Sequence, residues 1–345
     1  MKWGIDMNVF NKSAKGIVRK TAVLRRTRLA ALLLLVALTA LTTACSAGSQ
    51  GGNEAAEGKL SVVTSFYPLY YLASEIGGDH VAVTNLVPAG VEPHDWTPKS
   101  KDLSLTSKAS LFLYNGAGFE GWVGDFLQGL DKDSRVVSIE ASQGVDLIKA
   151  GETNAGTLGA AEPAAETGEQ PAQVDPHTWV SPKSAIVMAE NVKNSLVKAD
   201  AVNKADYEAN YEALRKKLSE MDAAFRSDIA ALPKRDIVVS HEAFGYLSRD
   251  YGLNQVAIMG LAPDAEPKAQ DLKEIVDFVQ NKEIRYIFFE ELVSPELAQT
   301  LASEADAETL VLNPLEGLTP EQEDQGENYV TLMERNFQNL KKALQ

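Results

Sequence analysis

The stretch YEANYEALRKKLSEMDAAFRSDIAALP, residues 207–233, decides how the chain is organised. Tyr207, Tyr211, Leu214, Leu218, Met221, Phe225, Ile229 and Leu232 step by threes and fours, which places them on one stripe of a single helix. Pro233 ends it, because proline lacks the amide hydrogen and clashes with the preceding turn. A helix of about 28 residues is ~40 Å long, enough to run along two lobes as a stiff strut. A helix packed on one lobe alone would carry the same pattern.

On both sides of this helix, short apolar runs bounded by turn residues alternate with helical patterns. The runs before it are 60–65, 81–87, 111–114 and 135–139, with a helical segment over 70–76. The runs after it are 236–240, 255–259, 285–289 and 309–313, separated by helical patterns over 244–251, 267–281 and 294–305. Such alternation predicts α/β architecture, with mostly parallel sheets covered by helices. The expected layout is an N-terminal α/β lobe over 59–203, a linking helix over 204–232 and a C-terminal α/β lobe over 233–345, with a ligand site in the interlobe cleft.

The first 58 residues read differently. Lys12, Lys15, Arg19, Lys20, Arg25, Arg26 and Arg28 precede an apolar run over 29–41, then Thr42-Thr43-Ala44-Cys45. A basic region, about a dozen apolar residues and a small-residue exit predict an export signal over 1–44. The run is short for a membrane span, which needs ~20 residues. Cys45 is the only cysteine, so no internal disulfide is available to it. Leu41-Thr42-Thr43-Ala44-Cys45 resembles a bacterial lipobox, with the bulky residue one place early, so Cys45 is the expected lipidation site. The basic region begins late, and Met7 is an alternative start. Ser, Gly, Ala, Gln, Asn and Glu make up most of 45–58, the composition of a flexible tether. Residues 150–174 hold Glu152, Glu162, Glu166 and Glu169 among Gly, Ala, Thr and Pro with no apolar period, and are expected to form a mobile acidic loop.

Charge narrows the partners. The formal net charge is −15, and the leader is basic, so the remainder is more acidic still. Such a polyanion disfavours nucleic acid and bare anionic lipid, and suits a cationic ligand.

Three of the four histidines follow strand-like runs. They are His94 in Glu92-Pro93-His94-Asp95-Trp96, His177 in Asp175-Pro176-His177-Thr178-Trp179, and His241 in Ser240-His241-Glu242. Ligands in open α/β sheets bind beyond the carboxyl ends of strands. Imidazole is the commonest protein ligand for zinc, so the three are expected to share a metal site. A fourth ligand is sought at another strand end. Glu316, after 309–313, is preferred, because it gives two ligands from each lobe. Glu290, Glu291 and Glu92 are the rivals. His80 sits in a helix-to-strand turn and is expected at the surface. Asp95, Asp175 and Glu242 are candidates to accept the second ring proton of a ligand. Trp96 and Trp179 are expected to pack the loops and keep the site dry.

Three imidazoles and one carboxylate suit zinc's tetrahedral preference, whereas manganese prefers more oxygen ligands. Zn2+ is therefore expected over Mn2+, with copper and nickel able to bind in vitro. A secreted zinc hydrolase would need an open water position and a base such as Glu242 or Glu92. No His-Glu-x-x-His or Gly-x-Ser-x-Gly motif is present. A binding protein is expected, not an enzyme.

Five segments together resemble the zinc-binding lipoprotein family of metal ABC importers, which is related to manganese-binding and adhesin-type lipoproteins. They are Thr64-Ser65-Phe66-Tyr67-Pro68-Leu69-Tyr70, Glu92-Pro93-His94-Asp95-Trp96, Asp175-Pro176-His177-Thr178-Trp179-Val180-Ser181-Pro182, Ser240-His241-Glu242-Ala243-Phe244-Gly245-Tyr246 and Leu312-Asn313-Pro314-Leu315-Glu316-Gly317-Leu318. The resemblance implies two α/β lobes joined by a rigid helix, with zinc held by His94, His177, His241 and Glu316. It also implies an extracytoplasmic, membrane-anchored monomer that delivers metal to an ABC permease driven by a separate ATPase. A manganese receptor or a surface adhesin are the variants such a family allows. Zinc members often carry a histidine-rich loop where this chain has 150–174, and no histidine lies there.

Overall fold

The computed structural model describes residues 58–149, 174–263 and 267–345. The expected signal segment, Cys45, nearly all of the tether and the acidic loop over 150–173 lie outside the described residues.

The eight apolar runs form eight strands in two sheets. The first sheet contains β1 (Leu60–Thr64), β2 (Val81–Asn85), β3 (Leu111–Tyr114) and β4 (Val137–Glu140), in the order β2-β1-β3-β4. The second contains β5 (Asp236–Val239), β6 (Asn254–Ala257), β7 (Tyr286–Phe289) and β8 (Glu308–Val311), in the order β6-β5-β7-β8. Every pairing is parallel, so the two lobes repeat one topology. Central strands read as continuous apolar runs, such as Val62-Val63 and Ile237-Val238-Val239, because helices bury both of their faces.

Helices α1 (Tyr67–Gly77), α2 (Ser100–Ser107), α3 (Val123–Gln128) and α4 (Pro182–Ala199) belong to the first half. Helix α5 (Lys204–Ala231) is 28 residues long. Helices α6 (Gly245–Tyr251), α7 (Ala269–Asn281), α8 (Glu296–Glu304), α9 (Pro320–Asp324) and α10 (Tyr329–Ala343) follow. Tyr207, Tyr211, Leu214, Leu218, Met221, Phe225 and Ile229 are all buried along α5, as their spacing requires. Leu232 falls just past the helix end. The stripe packs on α1 and α4 at one end and on α6 and α10 at the other. Helix α5 therefore spans both lobes, which rules out packing on one lobe alone.

The largest apolar cluster is shared. It joins Phe66, Trp179 and Val192 from the first half to Phe225 on α5 and to Phe244, Leu315 and Tyr329 from the second. Smaller clusters serve each lobe separately, one around Phe112 and Phe126 and one around Ile275 and Ile287. A core continuous across the cleft holds the carboxyl ends of the two sheets face to face.

Candidate metal centre

Each of the four expected ligands is delivered by a segment leaving a strand's carboxyl end. His94 follows β2, His177 follows β4, His241 comes two residues after β5, and Glu316 follows β8. Their ligand atoms all lie within 4.8 Å of one another. His177 Nε2 is 3.3 Å from His94 Nε2 and 3.3 Å from His241 Nε2. Glu316 Oε1 is 3.5 Å from His94, 3.4 Å from His177 and 3.5 Å from His241, in each case at Nε2. The side chains of His177, His241 and Glu316 are sealed from solvent, whereas that of His94 is 10% exposed.

Local chemistry explains these positions. Asp175 Oδ1 accepts from the His177 backbone amide at 2.9 Å and from its Nδ1 at 2.8 Å. One carboxylate thus makes the turn and aims the ring, which accounts for the Asp-Pro-His spacing. Glu290 does the same for His241, accepting from the backbone amide at 3.2 Å and from Nδ1 at 2.7 Å. With Nδ1 donating to a carboxylate, the neutral ring keeps its Nε2 lone pair for the centre, the tautomer a cation requires. Glu316 is set by the preceding residue. Leu315 has a left-handed backbone, φ 66°, held by its amide donating to Asn313 Oδ1 at 2.7 Å. Such a conformation in a non-glycine residue costs about 1–3 kcal/mol and persists only where its surroundings fix it.

The rival carboxylates have other tasks. Glu290 orients His241. Glu291 Oε2 accepts from Asn313 Nδ2 at 2.7 Å and from Gln322 Nε2 at 2.6 Å, bracing the Glu316 loop. Glu92 Oε1 accepts from the His94 amide at 3.1 Å. Of the proposed ring-proton acceptors, Asp175 is placed as expected. The acceptor on His241 is Glu290, 49 residues away, rather than the adjacent Glu242. Asp95 is exposed, and among the described residues no hydrogen bond joins it to the His94 ring. His80 lies apart at the surface, its Nε2 2.8 Å from Asp206 Oδ2.

Electrostatics at the centre are strongly mutual. Burial pulls the His177 pKa down, but bonds to Asp175 and Glu316 outweigh it and leave the ring above its ordinary value. Burial also opposes charge on His241, yet Glu290 and Glu316 hold it well above ordinary. Burial would raise Glu316, but bonds to His177, His241 and His94 keep it well below the usual carboxylate range. Burial, reinforced by the Glu316 charge, pushes Glu92 up to about 8.

The lobes are stitched shut around this cluster. Trp179 is fully buried and donates from Nε1 to Pro314 O at 2.8 Å. Tyr246 donates to Asp175 O at 2.7 Å, and the Gly90 amide donates to Leu318 O at 2.7 Å. Gly245 lies so close to Asp175 that a Cβ there would meet Oδ2 at 2.1 Å. Trp96 packs on Trp122, with ring centroids 5.4 Å apart, and against the shared apolar cluster.

Two parallel-sheet lobes, bridged by one long helix, thus close over three histidines and a glutamate. Residues 62–343 match the family described as zinc-uptake complex component A, periplasmic, and the chain belongs to that family. It is 40% identical over 288 residues to the zinc-binding lipoprotein AdcA of Streptococcus pneumoniae, covering 84% of this chain and 56% of that protein. The chain thus spans little more than half the length of that relative. It is 37% identical over 296 residues to the high-affinity zinc uptake system protein ZnuA of Bacillus subtilis, covering 86% of this chain and 91% of that one. The Zn(II)-bound ZnuA-like domain of pneumococcal AdcA superposes with a TM-score of 0.70 at 39% identity, covering 83% of this chain and 99% of that domain.

Proposed function

We propose that this protein is an extracytoplasmic zinc receptor, which binds one Zn2+ between its lobes and hands it to an ABC-type permease powered by a separate ATPase. Zinc is cargo here, and His94, His177, His241 and Glu316 are its ligands. One observation carries this. A regular tetrahedron with zinc–ligand bonds of about 2.0–2.1 Å has edges of about 3.3–3.4 Å. Of the six distances among the four ligand atoms, five are 3.3–3.5 Å and the sixth, between His94 and His241, is within 4.8 Å. Five of the six edges are already spaced as zinc would hold them.

A hydrolase needs a coordination position left open for water. Four protein ligands at tetrahedral spacing fill every position, which favours binding over turnover. Manganese calls for more oxygen ligands than this centre offers. The relatives' names point the same way, as a zinc-binding lipoprotein and a zinc uptake protein.

The remaining parts fit delivery at a membrane surface. Residues 1–44 direct export, and Cys45 carries lipid. The tether over 45–58 links this anchor to the N-terminal lobe (59–203), the linking helix (204–232) and the C-terminal lobe (233–345), acting as a monomer. Competition titration against a chelator is the test. One tight zinc per chain, with no zinc-dependent hydrolysis of peptides or esters, is the expected result. Hydrolysis that is lost in Glu242→Gln would replace the receptor with an enzyme.

A further inference from the structure

Glu120 is buried to 5% exposure, carries a carboxylate and touches none of the four ligands. It stitches two strand ends together. Its Oε1 accepts from Ser65 Oγ at 2.7 Å and from the Asn115 amide at 2.7 Å, and its Oε2 accepts from the Gly116 amide at 3.0 Å. Ser65 leaves β1 and Asn115 leaves β3. These are the two central strands, where the sheet's connections switch direction and ligand sites in such folds lie. Burial holds the Glu120 carboxyl above the usual carboxylate range, although the bonds from Ser65, Asn115 and Gly116 oppose the rise.

The turn that Glu120 closes is a costly one. Gly116, Ala117 and Gly118 all have left-handed backbones, with φ of 80°, 51° and 85°. Ala117 has no glycine freedom to ease this. Two side chains of the turn reach the metal centre. Asn115 Nδ2 donates to Pro176 O at 2.9 Å, and its Oδ1 accepts from Thr178 Oγ1 at 3.0 Å, so it grips His177 on both sides. The Phe119 ring stands edge-on to His94, with centroids 4.9 Å apart, and rests on Trp179 and Phe66. The second lobe offers a parallel. Glu290 leaves the end of β7 and bonds the residue that leaves β5, and there the bonded residue is itself a ligand. In the first lobe the buried carboxylate holds the scaffold between two ligands instead.

We propose that Glu120 is a positioning residue of the metal centre, locking the turn over 115–120 so that Asn115 and Phe119 hold His177 and His94 at tetrahedral spacing. This rests on the zinc-receptor assignment above. Glu120→Gln keeps the shape but turns one oxygen into an NH2 group facing backbone N–H donors. The turn loosens, and the two histidines lose their fixed separation.

The test loads wild-type protein, Glu120→Gln and Phe119→Ala with Co2+ as a spectroscopic stand-in for zinc, and measures zinc affinity by chelator competition beside metal-free melting curves. Wild-type protein should give the intense visible bands of tetrahedral cobalt; weak octahedral bands there would defeat the receptor assignment and leave the present proposal without its basis. Given tetrahedral wild type, Glu120→Gln should weaken and shift those bands and lower zinc affinity about 10–100-fold, the range for groups that orient ligands. Glu120→Asp, which keeps the charge on a shorter arm, should recover part of both. A Glu120→Gln protein that melts earlier yet keeps wild-type cobalt bands and zinc affinity overturns the proposal, because the residue would then serve stability alone. Should that variant not fold, half-buried Phe119 decides: altered cobalt bands in Phe119→Ala support the proposal, and unchanged bands overturn it.

Discussion

The two sealed histidines and the partly open one are built differently. His177 and His241 have no exposed side-chain surface, and each donates from Nδ1 to a carboxylate that also caps its backbone amide. His94 lies in an irregular segment between β2 and α2, and Glu92 braces only its backbone. Among the described residues no carboxylate accepts from its Nδ1. Two of the proposed ligands are thus fixed without metal, and the third, His94, rests on Phe119 packing. Fixed groups lose little freedom on binding and so favour affinity, whereas a looser group at the solvent edge is expected to act more on dissociation.

Ligand removal should have the largest effect. Apparent zinc binding in protein sites is roughly 10 kcal/mol or more over four ligands, so losing one costs about 3 kcal/mol, on the order of a hundredfold. His177→Ala should weaken zinc at least that much in chelator competition. His94→Ala should lose less affinity, with most of the change in the dissociation rate measured by stopped-flow chelation. Equal losses with equal off-rates would erase the contrast between sealed and open ligands.

Outer partners come next. Asp175→Asn and Glu290→Gln should each lower affinity about 10–100-fold. Gly245→Ala should act in the same direction by displacing Asp175, since its Cβ would fall 2.1 Å from Oδ2. Asp95→Ala should change affinity less than twofold, as among the described residues no hydrogen bond joins it to the His94 ring. A large loss there would show that His94 has a carboxylate partner after all.

Acid sharpens the comparison further. His177 and His241 are held above the ordinary histidine value, so protons compete with zinc from well above pH 6.5. Zinc affinity should fall as pH drops from 8, before free imidazole would titrate. Stability of the metal-free protein should run the other way. Raised histidine pKa values add stability that is full below about pH 6.5 and is lost as pH rises through the folded values. The depressed Glu316 adds stability that is present above its unfolded value and lost only in stronger acid. Melting curves without zinc should therefore show higher stability near pH 6 than near pH 8.5, and curves with zinc the larger zinc shift at pH 8.5.

Much of this was legible in the sequence. All eight strands stand within about two residues of the apolar runs that announce them, because turn residues bound each run. The stripe from Tyr207 to Ile229 specified the strut, since one buried face needs one period. The gathering of the three histidines was legible because each follows a strand, and the strand ends of the two sheets converge. Other features were not. The apolar spacing of Ala185, Met188, Ala189, Val192 and Leu196 carries the signal for α4, but small residues blur such a stripe. Glu290 stood among rival ligands, while adjacency favoured Glu242 as the partner of His241. The true partner comes from the neighbouring strand β7, a contact that only sheet order creates. Glu120 had no local signature, because two of its donors are backbone amides of its own turn, which any residue supplies, and the third, Ser65, lies at a distant strand end.

X-ray absorption at the zinc edge, on protein loaded with one equivalent of zinc, tests the central claim most directly. Four-coordinate zinc with three imidazoles and one carboxylate oxygen at about 2.0–2.1 Å is the expected result. A shell with two or fewer imidazoles, or six light ligands at longer distance, would contradict it.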